Sequence, residues 1–230
     1  MITVERRSLL KGMALGGLAG VAISSSGLSL ANTVLGRSAQ GLAPTLAVVS
    51  ADVAGSAFVH GLQASPFNPR VQVMPANLEL EVLLGLQQRL AGGQHQRLIG
   101  LLDDASAALI VDLARSAGAR VQWLGQHSAN PGRCAHRLLS AQAAHGCALQ
   151  LSQQLHACGQ DFSLHEQRLH SRAPTLQLTT ASRAPGDDQW AATLGYALAV
   201  LGSSDTGRAP LIARRPAALT GTYVSFLIEV

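Results

Sequence analysis

The segment Arg97–Leu124 constrains the fold more than any other stretch of the chain. Arg97-Leu-Ile-Gly-Leu-Leu102 is an apolar run of strand length, Asp103-Asp104 opens a helical stretch reaching about Ser116, and Gly118 stops it. Arg120-Val-Gln-Trp-Leu124 then reads as a second strand. An Asp side chain accepts a hydrogen bond from the first helical turn, and Gly tolerates the left-handed backbone that ends a helix. A strand, a capped helix and a further strand within about thirty residues form a βαβ unit, whose strands run parallel.

The flanking sequence repeats the alternation. Thr45-Leu-Ala-Val-Val-Ser50 reads as a buried strand, Asp52 to Gln63 as a helix, and Arg70-Val-Gln-Val-Met74 as a strand before Pro75. Leu78 to Leu90 carries apolar residues on one helical face and ends at Ala91-Gly92-Gly93. Helical patterns follow at 133–158 and 188–201, with strands at Leu176–Thr180 and Tyr223–Val230. The expected architecture is α/β: one three-layer, Rossmann-like domain over 45–230 with a mostly parallel sheet. Hydrophobic content of 47% supports a globular core, and with aromatics at 3% that core must be built from Leu, Val, Ala and Ile. Residues 191–202 are apolar but too short to span a membrane, and predict a buried helix.

The unit at 97–124 resembles one lobe of the type I periplasmic solute-binding proteins, which also place a small polar helix start after a buried strand. In open parallel sheets ligands bind beyond the carboxyl ends of the strands. This reading places Ser50, Asp52, Asp103, Asp104 and His127 there, with helix starts nearby that offer backbone N–H groups. A plainer role for Asp103 or Asp104 is that of an N-cap, contributing about 1 kcal/mol.

At the N-terminus, Arg6-Arg7-Ser8-Leu9-Leu10-Lys11 resembles the twin-arginine export signal Arg-Arg-x-Phe-Leu-Lys, with Leu9 where Phe is common. No charge occurs between Gly12 and Gly36, and Ser29-Leu30-Ala31 is a small-x-small cleavage site. The resemblance implies a signal over 1–31, a leader over 32–44, passage through the twin-arginine translocase already folded, and release into the periplasm. Arg6, Arg7, Lys11 and Glu5 would leave with the signal, cutting the formal net charge from +4 to about +2. A nucleic-acid partner is therefore not implied.

The second unusual feature is chemical. Six of the eight histidines and all three cysteines fall between 127 and 170. They form pairs two apart: Cys134 with His136, His145 with Cys147, His156 with Cys158. His and Cys are ligands for zinc or copper. Residues two apart diverge on a helix but share a face on a strand. Apolar residues at 138, 139, 143, 147, 148, 151 and 155 favour the helix, which makes the cysteines core residues and leaves most of the histidines solvated. The odd cysteine count allows at most one internal disulfide.

Complete catalytic motifs are missing. His165-Glu-Gln-Arg-Leu-His170 spaces its histidines by five, unlike a zincin, and no Cys-x-x-Cys-His, Gly-x-Ser-x-Gly or P-loop occurs. Arg208, Arg214 and Arg215 stand in a Gly- and Pro-bearing loop that reads as solvated surface, with an anion or an acidic partner as the alternative. The expected function is a non-enzymatic periplasmic protein that binds a small ligand or a partner subunit of a respiratory or uptake system. The alternative is a zinc- or copper-carrying protein. On the export reading, the intact mass of protein recovered from the periplasm should be that of residues 32–230; the mass of the whole chain would place the segment before Ala31 outside the cleaved class.

Overall fold

The computed structural model describes residues 43–66, 71–75, 79–130, 133–141, 144, 146–159, 161–169, 175–180, 189–203, 207, 209, 211 and 218–230. The proposed signal, with Arg6, Arg7, Leu10 and Ala31, lies outside them, as do His145, His170, Arg208, Arg214 and Arg215.

In chain order the elements are β1 (Thr45–Val49), α1 (Ala57–Gln63), β2 (Val71–Pro75), α2 (Leu80–Ala91), β3 (Arg97–Leu102) and α3 (Asp104–Ser116). There follow β4 (Arg120–Asn130), β5 (Arg133–Ser140), α4 (Cys147–Ala157), β6 (Phe162–Arg168), β7 (Leu176–Thr180), α5 (Gln189–Val200) and β8 (Gly221–Glu229). Among the described residues eight strands form one sheet in the order β2-β1-β3-β8-β4-β5-β6-β7.

The fold is α/β, but the sheet is mixed and not mostly parallel. β1 pairs parallel with β2 and β3, and β5 pairs parallel with β6. The other neighbours are antiparallel, because the C-terminal β8 inserts between β3 and β4, β5 folds back on β4, and β7 folds back on β6. The expected β3–α3–β4 unit is present with its strands parallel, yet β8 separates them.

Three further expectations change. The strand expected to end at Leu124 continues to Asn130, and 133–140 is a strand where a helix was expected. β5 does alternate, with Cys134, His136, Leu138 and Ser140 buried and Arg133 and Arg137 exposed. Two of its inward positions are polar, so a hydrophobic count misses the period. Similarly, residues 51–55 form turns, and α1 begins only after Ser56, whose side chain accepts from the N–H of Phe58.

Strand composition decides which faces are covered. β1 and β3 are buried on both faces, as continuous apolar runs require. Ala47, Val49, Ile99, Leu101 and Leu227 face one side, with α1, α4 and α5. Leu46, Val48, Leu98, Leu102 and Phe226 face the other, with α2 and α3. Beyond β8 the strands alternate. Among the described residues no helix covers the second face of β5, β6 and β7, where Arg137, His165, Gln167 and Gln177 are exposed.

Every residue of α5 is buried. Two glycines permit this: a Cβ on Gly195 would lie 2.3 Å from the carbonyl oxygen of Phe58, and one on Gly61 would lie 2.0 Å from that of Ala192. α1 and α5 therefore meet backbone to backbone. The last carbonyls of a buried helix have no water to accept from. The buried Arg97 guanidinium donates to three of them, those of Leu198 (3.2 Å), Ala199 (3.1 Å) and Leu201 (2.8 Å).

These contacts predict opposite outcomes for one kind of substitution. Gly195→Ala should lower unfolding free energy by at least about 2 kcal/mol, because backbone must move. Gly85→Ala, in α2 with open space beside it, should raise it by about 0.5–1 kcal/mol. Arg97→Met should cost about 3 kcal/mol by stranding buried carbonyls. Urea unfolding of the three variants checks all of these.

Candidate functional site

The residues expected to share one crevice occupy three places. Ser50 donates to Asp52 (2.5 Å), and Tyr223 on β8 donates its phenol hydrogen to the other Asp52 oxygen (2.8 Å). Partial burial opposes the Asp52 charge, but the hydrogen bonds from Ser50 and Tyr223 outweigh it and hold the carboxyl below its ordinary 3.8. This cluster ties the loop after β1 to β8. Asp103 caps α3, accepting from the Ser106 hydroxyl (2.5 Å) and backbone N–H (3.0 Å), and these bonds lower its pKa. Asp104, the first residue of α3, is exposed. His127 is wholly buried, because β4 extends past it.

The six proposed metal ligands do not converge where they are described. Cys134 and His136 share the inward face of β5. Cys147 opens α4 and Cys158 is its C-cap, about 16 Å apart at 1.5 Å per residue. Burial, with Glu166 adding to it, pushes the Cys147 thiol up to about 11, against the pull of Arg97. His156 lies on the surface with its Nδ1 3.3 Å from the Thr180 hydroxyl. Among the described residues no three His, Cys, Asp or Glu side chains are placed to hold a metal ion.

His127 and His136 instead belong to a buried polar chain, which position in sequence alone did not suggest. They are register partners on β4 and β5, and their Nδ1 atoms lie 2.8 Å apart. The Nε2 of His127 is 2.7 Å from Ser225 Oγ, and Ser225 accepts the indole N–H of Trp123 at 3.0 Å. One direction satisfies most of these atoms. Ser225 gives its hydroxyl hydrogen to His127 Nε2, and His127 Nδ1–H donates to His136 Nδ1. The reverse direction leaves the Ser225 hydrogen without an acceptor. Either way, His136 Nε2 is buried with no hydrogen-bond partner among the described residues. A Cβ on Gly125 would lie 2.8 Å from both His127 Nε2 and Ser225 Oγ, so glycine keeps this chain intact.

A groove of about 610 Å³ lies on the opposite, open face. It forms where α3 stands beside strands whose second face is uncovered. Asp104, Ala108, Asp112 and Arg115 line its helical wall. Its floor is a pair of rows set by strand register. Gln126, Arg137 and His165 lie abreast on β4, β5 and β6; Leu124, Leu139 and Gln167 form the adjacent row. The Arg137, His165, Gln126 and Gln167 side chains have no hydrogen-bond or ion-pair partner among the described residues. Of the earlier candidates only Asp104 reaches this groove. Of the floor residues only His165 stands in a motif that the sequence offers, the zincin-like spacing that does not fit. Alternation in Arg133–Ser140 and Phe162–Arg168 is the signal that could have found them.

The buried pair makes stability depend on pH. Burial lowers His136 from an ordinary 6.5 to about 4, and burial with the neighbouring His136 lowers His127 well below 6.5. Both are therefore neutral in the folded protein at neutral pH, whereas the unfolded chain takes up protons below about 6.5. Stability is fully present above that pH and is lost as pH falls toward 4. Each histidine of the pair contributes to that loss, because each must be neutral to stay buried. Urea midpoints should be level from pH 7 to 8 and drop steadily from 6.5 to 4.5, a drop that His136→Phe reduces.

No protein-family model, curated protein or solved structure matches the chain.

Proposed function

We propose that the chain is an exported, non-enzymatic binding protein that takes a small molecule in the groove between α3 and the open face of β4–β6. In this reading the half built from β1 to α3 is a Rossmann-like scaffold, and α3 is the wall it supplies to the site. The protein serves in the periplasm as a ligand-binding or accessory subunit of an uptake or respiratory system, having crossed the membrane folded.

The groove carries the proposal. Its 610 Å³ lies inside the ~300–1,000 Å³ typical of small-molecule sites. Its lining combines apolar surface from Leu124, Leu139 and Val111 with a few polar groups that have no internal partner among the described residues. Such groups are available to fix a ligand's orientation. The Arg6-Arg7 signal supports the address, and a formal charge that falls on its removal supports a partner other than nucleic acid.

Native mass spectrometry of protein recovered from its own host tests the binding reading. An organic adduct should accompany the chain and be lost from Ala108→Trp, which fills the groove from its exposed helical wall. A bare chain, or an adduct that Ala108→Trp retains, removes the groove as the site. The address is tested separately: Arg6→Lys with Arg7→Lys should hold the protein in the cytoplasmic fraction, and unchanged export would retire the twin-arginine reading.

A further inference from the structure

Resting on the groove as the binding site, we infer that its ligand is a small carboxylate with an apolar body, the carboxylate held by Arg137. The inference comes from which charges in the groove are already compensated. On the helical wall, Asp112 has Arg115 4.0 Å away, one turn on. Asp104 stands in the first turn of α3, where the exposed N–H groups and the helix dipole favour a negative charge. Neither acid calls for a cationic ligand.

The floor differs. Arg137 is exposed on β5, flanked in register by Gln126 on β4 and His165 on β6, with no carboxylate at either position. Its guanidinium is always charged and has no ion-pair or hydrogen-bond partner among the described residues. A planar fork of N–H donors between an amide and an imidazole matches a carboxylate, which can accept two of its bonds side by side.

The next row supplies the rest of the class. Leu124 and Leu139 lie two residues along their strands from Gln126 and Arg137, about 7 Å away at 3.3–3.4 Å per residue. Val111 and Val224 line the groove as well. A ligand with its carboxylate on Arg137 can lay several methylenes along this apolar strip. An anion without such a body would leave the strip wet, and a neutral apolar molecule would leave Arg137 unpaired.

Hexanoate, hexanamide and hexylamine share one tail and differ in charge, and NMR titration of the full-length chain ranks them. Hexanoate should bind at least about tenfold more tightly than the other two. Arg137→Gln should bring hexanoate down to the level of hexanamide. Arg133→Gln, which removes an exposed charge from the same strand outside the groove lining, should leave hexanoate affinity within about twofold. A preference for hexylamine, no preference, or a hexanoate preference that survives Arg137→Gln overturns the carboxylate assignment, as does failure of all three to bind. Ala108→Trp separates the two levels. If the probes bind alike and Ala108→Trp abolishes all binding, the groove stands and the carboxylate falls. If hexanoate binding survives Ala108→Trp, the groove itself is not the site.

Discussion

The α5 helix is the constraint around which the rest of the molecule is arranged. A helix buried along its whole length gives up water at its ends, so its final carbonyls need donors from inside the protein. Arg97 meets that need from the first position of β3, through bonds to Leu198, Ala199 and Leu201. Its placement fixes α5 against the centre of the sheet. Gly61 and Gly195 then bring α1 within backbone contact of α5. With α4 alongside, the first face of the sheet is filled, including the inward side of β5 and β6.

Filling one face so completely sets what the other can be. The two helices α2 and α3 cover the strands with continuous apolar runs, β1 and β3, and the adjoining β8. β5, β6 and β7 present Arg137, His165, Gln167 and Gln177 outward, and among the described residues no helix covers them there. The groove lies at the boundary, where α3 stands beside the first wet strands. It is a consequence of a change in strand patterning between β3 and β5, not of any local motif.

Much of this was legible from sequence and part of it was not. The Asp103 cap, the Gly118 stop and the apolar runs at 45–49 and 97–102 identify their elements because backbone chemistry and periodicity agree there. The buried helix near 191–202 reads plainly because no polar face interrupts it. Residues 126–140 do not, since His127, His136 and Ser140 occupy inward positions where a strand pattern calls for apolar residues. Their burial depends on partners far along the chain, notably Ser225, which periodicity cannot supply. The insertion of β8 between β3 and β4 is likewise a long-range pairing, and it displaced the parallel sheet that local alternation implies. The row across the groove floor is not legible for the same reason: Gln126, Arg137 and His165 become neighbours only through a register spanning three strands.

The buried chain and the groove, on opposite faces, are mechanically related. Trp123, Ser225, His127 and His136 bond across β4, β8 and β5, strands that also contribute to the groove. His127 follows Gln126 on β4, and Arg137 follows His136 on β5, so the inward residue of each pair anchors the backbone from which the outward one projects. Hydrogen-bonded polar groups in a low-dielectric interior hold a narrow geometry, because any loosened partner is left without water. The histidines therefore sit on the dry side of the strands whose wet side carries the groove floor, one residue along the backbone from Gln126 and Arg137. The same arrangement accounts for glycine at 125: it lies between the two, and a side chain there would push apart the His127–Ser225 contact beneath the floor.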